Sequence, residues 1–213
     1  GMEMSKKFIR FVFCFFFVFK TICTLFANEI QDDTTLVLEK NLSEAILSPV
    51  SGTWANCQSL VLDVPKDYIV LYSFTGEDPL SFGFAYDEAV LIEKDGAVDL
   101  RIVFVSSNGE NYEFRRNYEV AIESKQDFLQ NEKEFLNQNQ ALIRLDADNA
   151  LDIPVRFSYS LSDSYLPQAN GRKLVLGEND IERYLPLIVE AENKLYRWML
   201  FISKTKPSKD RKS

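Results

Sequence analysis

From Tyr112 to Glu123 the chain alternates. Tyr112, Phe114, Tyr118, Val120 and Ile122 fall on one side, Glu113, Arg115, Asn117, Glu119 and Glu123 on the other, and only Arg116 breaks the apolar row. A period of two over this length predicts a β-strand with one face buried and one wet. Such a strand is stable only when its apolar face packs on a second layer, which commits this part of the chain to sheet architecture. Aromatic residues make up 13% of the sequence, with 17 Phe and 9 Tyr, a bias suited to pleated, half-buried surfaces.

Upstream, Leu60, Val61, Leu62 and Val64 predict a strand that turns at Pro65, Lys66 and Asp67. Tyr68 to Phe74 is almost continuously apolar, with Tyr68, Val70, Tyr72 and Phe74 on one face and Ile69 and Leu71 on the other, as in a central strand of a sandwich. Thr75-Gly76-Glu77-Asp78-Pro79 then ends it: Gly76 takes positive φ cheaply, and Pro79 bars a return to the ladder. Val90 to Ile92 and Leu100 to Val105 read as further strands, with Asp95-Gly96 and Asn108-Gly109 as turns. Tyr72 to Pro79 resembles the Y-T-x-D-G-x-x-P signature of the immunoglobulin-like domain that ends chitobiases and β-hexosaminidases, a module of bacterial envelope proteins. Ser51-Gly52-Thr53-Trp54 is similar to that family's G-x-aromatic start, and Tyr86 before Val90-Leu91-Ile92 to its aromatic followed by a strand. The chain departs from the signature at Thr75, where the family has Asp. The resemblance implies an immunoglobulin-like β-sandwich and a non-catalytic role.

After Ile122 the period changes. Ser124 and Asp127 resemble a capping box, and Phe128, Leu129, Phe135 and Leu136 fall on one side of a helix over Lys125 to Leu136. Beyond Asn137-Gln138-Asn139 the earlier pattern recurs. Leu60 to Asp63 matches Ile143 to Asp146, Tyr72 matches Tyr159, Pro79 matches Pro167, Gly83 matches Gly171, and Tyr112 matches Tyr196, at offsets that drift as loop insertions would make them. Phe157, Tyr159 and Leu161, then Leu174 to Leu176, Leu185 to Val189 and Tyr196 to Ile202 read as strands, with turns at Asn179-Asp180 and Glu192-Asn193. The expected fold is therefore all-β, two tandem immunoglobulin-like β-sandwich units joined by a short helix after an N-terminal signal peptide. Its expected segments are a signal peptide over 1–27, a lead-in over 28–50, a first sandwich over 51–123, a helical linker over 124–140, a second sandwich over 141–203 and a basic tail over 204–213. Within the lead-in, Thr34 to Leu38 reads as a strand and Ser43 to Leu47 as a helical turn.

The signal peptide rests on a positive n-region (Lys6, Lys7, Arg10), an apolar h-region from Phe11 to Phe19, and Ala27 before the expected cleavage at Asn28. Cys23 follows the h-region as a candidate for lipidation, although Ile22 replaces the small residue that a lipobox places before its cysteine. Cleavage removes Cys14 and Cys23, so the mature chain keeps only Cys57 and has no internal disulfide. Cleavage also removes four basic residues and one acid, leaving 20 basic against 31 acidic residues, a net charge of −11. An acidic body repels nucleic acid. Lys204, Lys206, Lys209, Arg211 and Lys212 against Asp210 form a basic end suited to peripheral contact with anionic lipid or cell-wall polymer.

The chain has no histidine, which excludes Ser-His-Asp and Cys-His catalysis and imidazole metal sites. Asp146, Asp148, Asn149 and Asp152 resemble a calcium loop, but Ala150 and Leu151 stand where an acid or amide and a glycine belong. Gly171-Arg172-Lys173 lacks the rest of a phosphate loop. Trp54, Trp198 and Tyr86 are candidates for stacking on sugar rings, each also placed where a sandwich core expects an aromatic, and Cys57 reads as a small buried hydrophobe. No catalytic, cofactor-binding or metal-binding residue is assigned, and no cofactor. The expected role is a non-enzymatic exported module, periplasmic, at the cell surface or secreted, that binds or positions a protein or polysaccharide partner. The alternative is a small carboxylate-dependent hydrolase with its site between the two units; two acids facing each other across a deep cleft would mark it, and exposed aromatics on a flat or edge surface would mark a binding module.

Overall fold

A computed structural model of the protein describes residues 34–147, 151–167, 169–171 and 173–204. The signal peptide with Cys23, the calcium-loop residues Asp148 and Asn149, and the basic tail beyond Lys204 lie outside them. Gly1–Glu44 and Ala45–Ser213 are separate compact units. In the first, residues 34–44 are helical (α1), where a strand was expected over Thr34 to Leu38. Leu38 and Leu42 lie one turn apart on the less exposed side, and Lys40 and Glu44 pair at the same i,i+4 spacing. That 3.6-residue periodicity overrides the β-branched start at Thr34-Thr35. Among the described residues no helix is long and apolar enough to cross a membrane.

The second unit is an all-β assembly built on two five-stranded sheets. The first sheet joins β1 (Thr53–Trp54), β7 (Asn111–Val120), β6 (Gly96–Ser106), β3 (Tyr68–Ser73) and β4 (Phe84–Ala85), in that spatial order. All neighbours are antiparallel except β1, which runs parallel to β7. A smaller sheet pairs β2 (Gln58–Leu60) with β5 (Val90–Ile92), and residues 45–47 extend it through Leu47 N–H to Val61 O and Asp63 N–H to Ala45 O, each 2.9 Å. Val98, Leu100, Ile102 and Phe104 of β6 alternate inward and are almost completely buried, with Val70, Tyr72 and Trp54 on neighbouring strands and Leu60 and Ile92 in the smaller sheet. A last strand with a parallel edge partner, a hairpin-linked neighbour and a second sheet together make an immunoglobulin-like sandwich.

The second sheet repeats that order. β8 (Ile143–Asp146) runs parallel to β12 (Lys194–Ser203), followed by β11 (Arg183–Ala191), β9 (Ser158–Ser160) and β10 (Ala169–Asn170). Glu192 and Asn193, both at positive φ, close the two-residue β11–β12 hairpin, the geometry that matches strand twist. Its inner face buries Tyr159, Leu187, Val189, Tyr196, Trp198, Leu200 and Ile202. Leu174, expected in a strand, instead donates one hydrogen bond to Leu151 O, and these irregular segments bring Ile153 and Leu174 to the core.

The helix after the first sandwich, α3, spans Gln130–Leu136, five residues shorter at its start than the pattern from Lys125 implied. Its first turn is closed by Glu132, whose carboxylate accepts the Leu129 N–H at 2.9 Å, and not by Ser124 and Asp127. Glu132 is itself buried and paired with Arg156. Phe135 and Leu136 belong to the core of the second sheet.

Two of the repeat matches do not survive. Leu60 lies in β2, whereas Ile143–Asp146 is the parallel edge strand, whose counterpart is Thr53–Trp54. Tyr72 and Tyr159 do lie on corresponding strands, but the row through Tyr72 runs to Ile102 and Phe114, while that through Tyr159 runs to Val189 and Tyr196. Phe114, not Tyr112, is thus the register partner of Tyr196 when the two tyrosines are superposed.

The turn after β3 is held tightly. Gly76 sits at φ +80°, its N–H reaches Asp99 O at 3.0 Å, and Asp78 caps a single helical turn, α2 (Pro79–Phe82), with Pro at its first position. A Cβ on Gly76 would lie 2.4 Å from Asp99 Oδ2, whereas one on Gly109, at φ +87°, would meet nothing. Gly76→Ala is therefore expected to destabilise by about 1–3 kcal/mol, and by more than Gly109→Ala, which carries the backbone strain alone. Urea denaturation of the two variants measures the difference; equal losses would show that Asp99 swings away.

Candidate functional site

A cleft of about 520 Å³ lies where the first sandwich meets the second sheet. The first sandwich lines it with the chain leaving β2 (Val61 to Val64), with Tyr68 to Leu71 of β3, and with Ala85 of β4 and Tyr86 to Ala89 beyond it; the second sheet and the chain entering it contribute Leu142, Arg144 and Tyr184. The alternation of β3 sends Val70 inward and leaves Ile69 65% exposed along the wall. Tyr86 ties two of these segments together, its hydroxyl accepting the Leu62 N–H at 3.0 Å. Burial pushes the Tyr86 phenol above its ordinary range, against the Leu62 N–H bond, which lowers it.

The far wall is one row of the second sheet. Tyr184, Phe201 and Arg144 are register neighbours on β11, β12 and β8. The Tyr184 and Phe201 rings lie 4.9 Å apart, and the Arg144 guanidinium stands 5.8 Å from the Phe201 centroid. Asp63, Asp87 and Glu88 add three exposed carboxylates, none of which is in an ion pair among the described residues. All three come from the first sandwich. The second sheet places a guanidinium and a phenol opposite them, not a carboxylate.

A second feature lies around the turn after β3. Phe82 is 71% exposed and Phe84 59%, with Leu80 beside them in sequence. The Phe84 ring stacks on Phe74 at 6.3 Å, and Tyr72 backs it at 5.9 Å. This is an aromatic surface at the β4 edge of the first sandwich.

Of the residues singled out in the sequence, Trp54 and Trp198 are buried in the cores; the Trp198 indole donates to Gln138 O at 3.1 Å, so neither ring face is free to stack on a ligand. Tyr86 alone of that trio lines the cleft. Cys57 is half-buried, and burial pushes its thiol up, away from the thiolate. Asp146 is half-buried in β8 and Asp152 exposed, and among the described residues no group of three or more His, Cys, Asp or Glu side chains is placed to hold a metal ion. Gly171 is buried, where a Cβ would lie 3.0 Å from Ile153 Cβ; it is a packing glycine. Sequence reading did not single out Tyr68, Tyr184, Arg144, Asp63, Asp87 or Glu88 for function. They lie on segments up to 121 positions apart (Asp63 to Tyr184), and no local spacing links them.

No protein-family model matches the chain, and no curated protein matches it by sequence. Among solved structures it is similar to Bacteroides ovatus SGBP-B of a mixed-linkage glucan utilization locus, in complex with a mixed-linkage heptasaccharide, at 12% identity over 73% of this chain and 43% of that one, with a TM-score of 0.27. It is similar to the Clostridium thermocellum CbhA fibronectin(III)-like modules at 11% identity over 74% and 90% of the two chains, TM-score 0.28. The N-terminal four Ig domains of Dscam1 isoform 1.9 align at 10% identity over 76% and 52%, TM-score 0.26. The chain spans less than half the length of the first of these. The strand order and register described above define the fold without them.

Proposed function

We propose that this chain is a non-enzymatic exported module that binds or positions a protein or polysaccharide partner at the cell envelope. The observation that carries the reading is the concentration of accessible aromatic surface on the first sandwich: Phe82 and Phe84 exposed at its edge, Tyr68 and Tyr86 half-buried in the adjoining cleft. Rings held partly open on a rigid sheet give contact area at small entropic expense, which is what a recognition surface needs. The recurrence of one strand order in both sheets supports an internal duplication, with units over 51–123 and 141–203 in the chitobiase C-terminal style.

Expression of the full chain in a bacterium tests the reading in two steps. The exported product is expected to begin at Asn28; a product retaining residues 1–27, or one lipidated at Cys23, would overturn that cleavage. Purified protein is expected to turn over neither chromogenic sugars nor esters, with or without EDTA. Turnover that survived repurification would instead favour the carboxylate hydrolase.

A further inference from the structure

We propose that the cleft between the first sandwich and the second sheet is a binding site for a neutral polysaccharide. This rests on the reading of the chain as a binding module and names the ligand class that its cleft would take. The volume, about 520 Å³, falls within the range of about 300–1,000 Å³ usual for sites that enclose small ligands. Its lining has two components. Tyr68, Tyr86 and Tyr184, with Ile69 and Leu71, offer apolar faces against which the C–H face of a sugar ring packs. Asp63, Asp87 and Glu88 only accept hydrogen bonds and Arg144 only donates them.

That mixture of signs selects among ligands. An acidic polymer would meet three carboxylates on one wall; a basic peptide would be drawn to those carboxylates, but its ammonium groups give Arg144 no acceptor. A neutral sugar has no charge to be repelled, and each of its hydroxyls both donates to a carboxylate and accepts from a guanidinium. Bonds to charged groups are the stronger ones, so the polar wall fixes orientation while the rings supply contact. The cleft also draws Tyr184 and Arg144 from the second sheet and the remaining groups from the first sandwich, so a bound chain lies across the junction.

The test uses full-length protein in affinity electrophoresis and calorimetry with mixed-linkage β-glucan, β-mannan and amylose as neutral probes, polygalacturonate as an acidic one and oligolysine as a basic one. At least one neutral glycan is expected to bind, and Tyr184→Ala is expected to weaken it by about tenfold or more. Because Tyr184 also packs on Phe201, the exposed Asp87→Asn variant provides a change that leaves the core intact, and it too is expected to weaken binding. Val175→Ala, 74% exposed and outside both the cleft and the aromatic edge, is expected to leave the affinity unchanged. No binding of any neutral probe, binding of oligolysine in their place, or glycan binding untouched by both cleft variants would each overturn the proposal. A reducing-end assay on the same mixtures separates the two readings: cleavage of a bound glycan would leave the site standing and sink the non-enzymatic function.

Discussion

Phe135→Ala is expected to destabilise the protein by about 3–5 kcal/mol, the loss usual for emptying a buried aromatic site. Phe135 is 7% exposed, and its ring meets Trp198 edge-on at 5.5 Å and Phe157 at 6.1 Å. The helix that carries it has seven residues, too few to persist in water without tertiary contacts. Removing the ring therefore takes away both the filling of the second core and the contact that holds α3 on its sheet. Phe128 also meets Phe157, at 5.9 Å, but is only partly buried, so Phe128→Ala is expected to cost less. Urea unfolding reads both as a lower midpoint at constant m. A loss below about 1 kcal/mol at Phe135 would mean that α3 is a tether, and that the second sheet is closed by Ile153 and Leu174 without it.

The strands that sequence reading located were those whose local pattern and tertiary role agree. Tyr112 to Glu123 alternates because β7 is wet on one face; the structure keeps that pattern residue by residue to Val120, where β7 ends, and leaves Ile122 47% exposed. Tyr68 to Phe74 was legible for the opposite reason, its near-continuous apolarity belonging to a strand inside the sheet. Thr34 to Leu38 misled because a β-branched pair outweighed, on paper, the leucines four apart that place it in a helix. Leu60 to Asp63 and Ile143 to Asp146 misled differently. Both are short apolar runs ending in Asp, and four residues do not record which neighbour a strand will pair with.

Sites were harder to see than strands for a related reason. Trp54 and Trp198 drew attention as ring-stacking candidates, yet a tryptophan inside an alternating strand faces whichever side the period dictates, and for both that side is a core. The cleft is made by tertiary placement. Tyr184 gains its position because Phe201 and Arg144 fall in the same row of three strands, a coincidence of register invisible until the strands are paired. Asp63, Asp87 and Glu88 are exposed, and no spacing in the sequence draws them from two segments to one cleft.

Asn56→Ala is expected to cost about 2–4 kcal/mol, because it leaves the buried Arg197 N–H without a partner and leaves Arg197 O with only the longer bond from Gln58 Nε2, 3.4 Å. Asn56 stands between β1 and β2 of the first sandwich, and its side chain works as a short piece of strand for the second sheet. The amide oxygen accepts the Arg197 N–H at 2.9 Å, and the amide nitrogen donates to Arg197 O at 2.9 Å, along the stretch of β12 that β8 leaves unpaired. The Ala55 N–H extends the same edge to Leu195 O at 2.7 Å. Around this pair the network is closed: Gln58 donates to the Asn56 oxygens, and the Arg197 guanidinium donates to Leu47 O at 2.7 Å and to Asp163 at 2.8 Å. Asn56, Gln58 and Arg197 are 7%, 1% and 2% exposed, so water does not readily replace a missing partner. Arg197 and Met199 point away from the second core yet are buried, which makes this face of β12 the seam between the second sheet and the first sandwich. The variant should therefore weaken the seam more than either core. Hydrogen exchange separates these effects: protection of the Arg197 amide is expected to collapse in Asn56→Ala, while that of amides paired within the β11–β12 hairpin falls only by the global loss. Unchanged protection at Arg197, or a stability loss below about 0.5 kcal/mol, would show that apolar packing holds the seam and that the amide bridge is incidental.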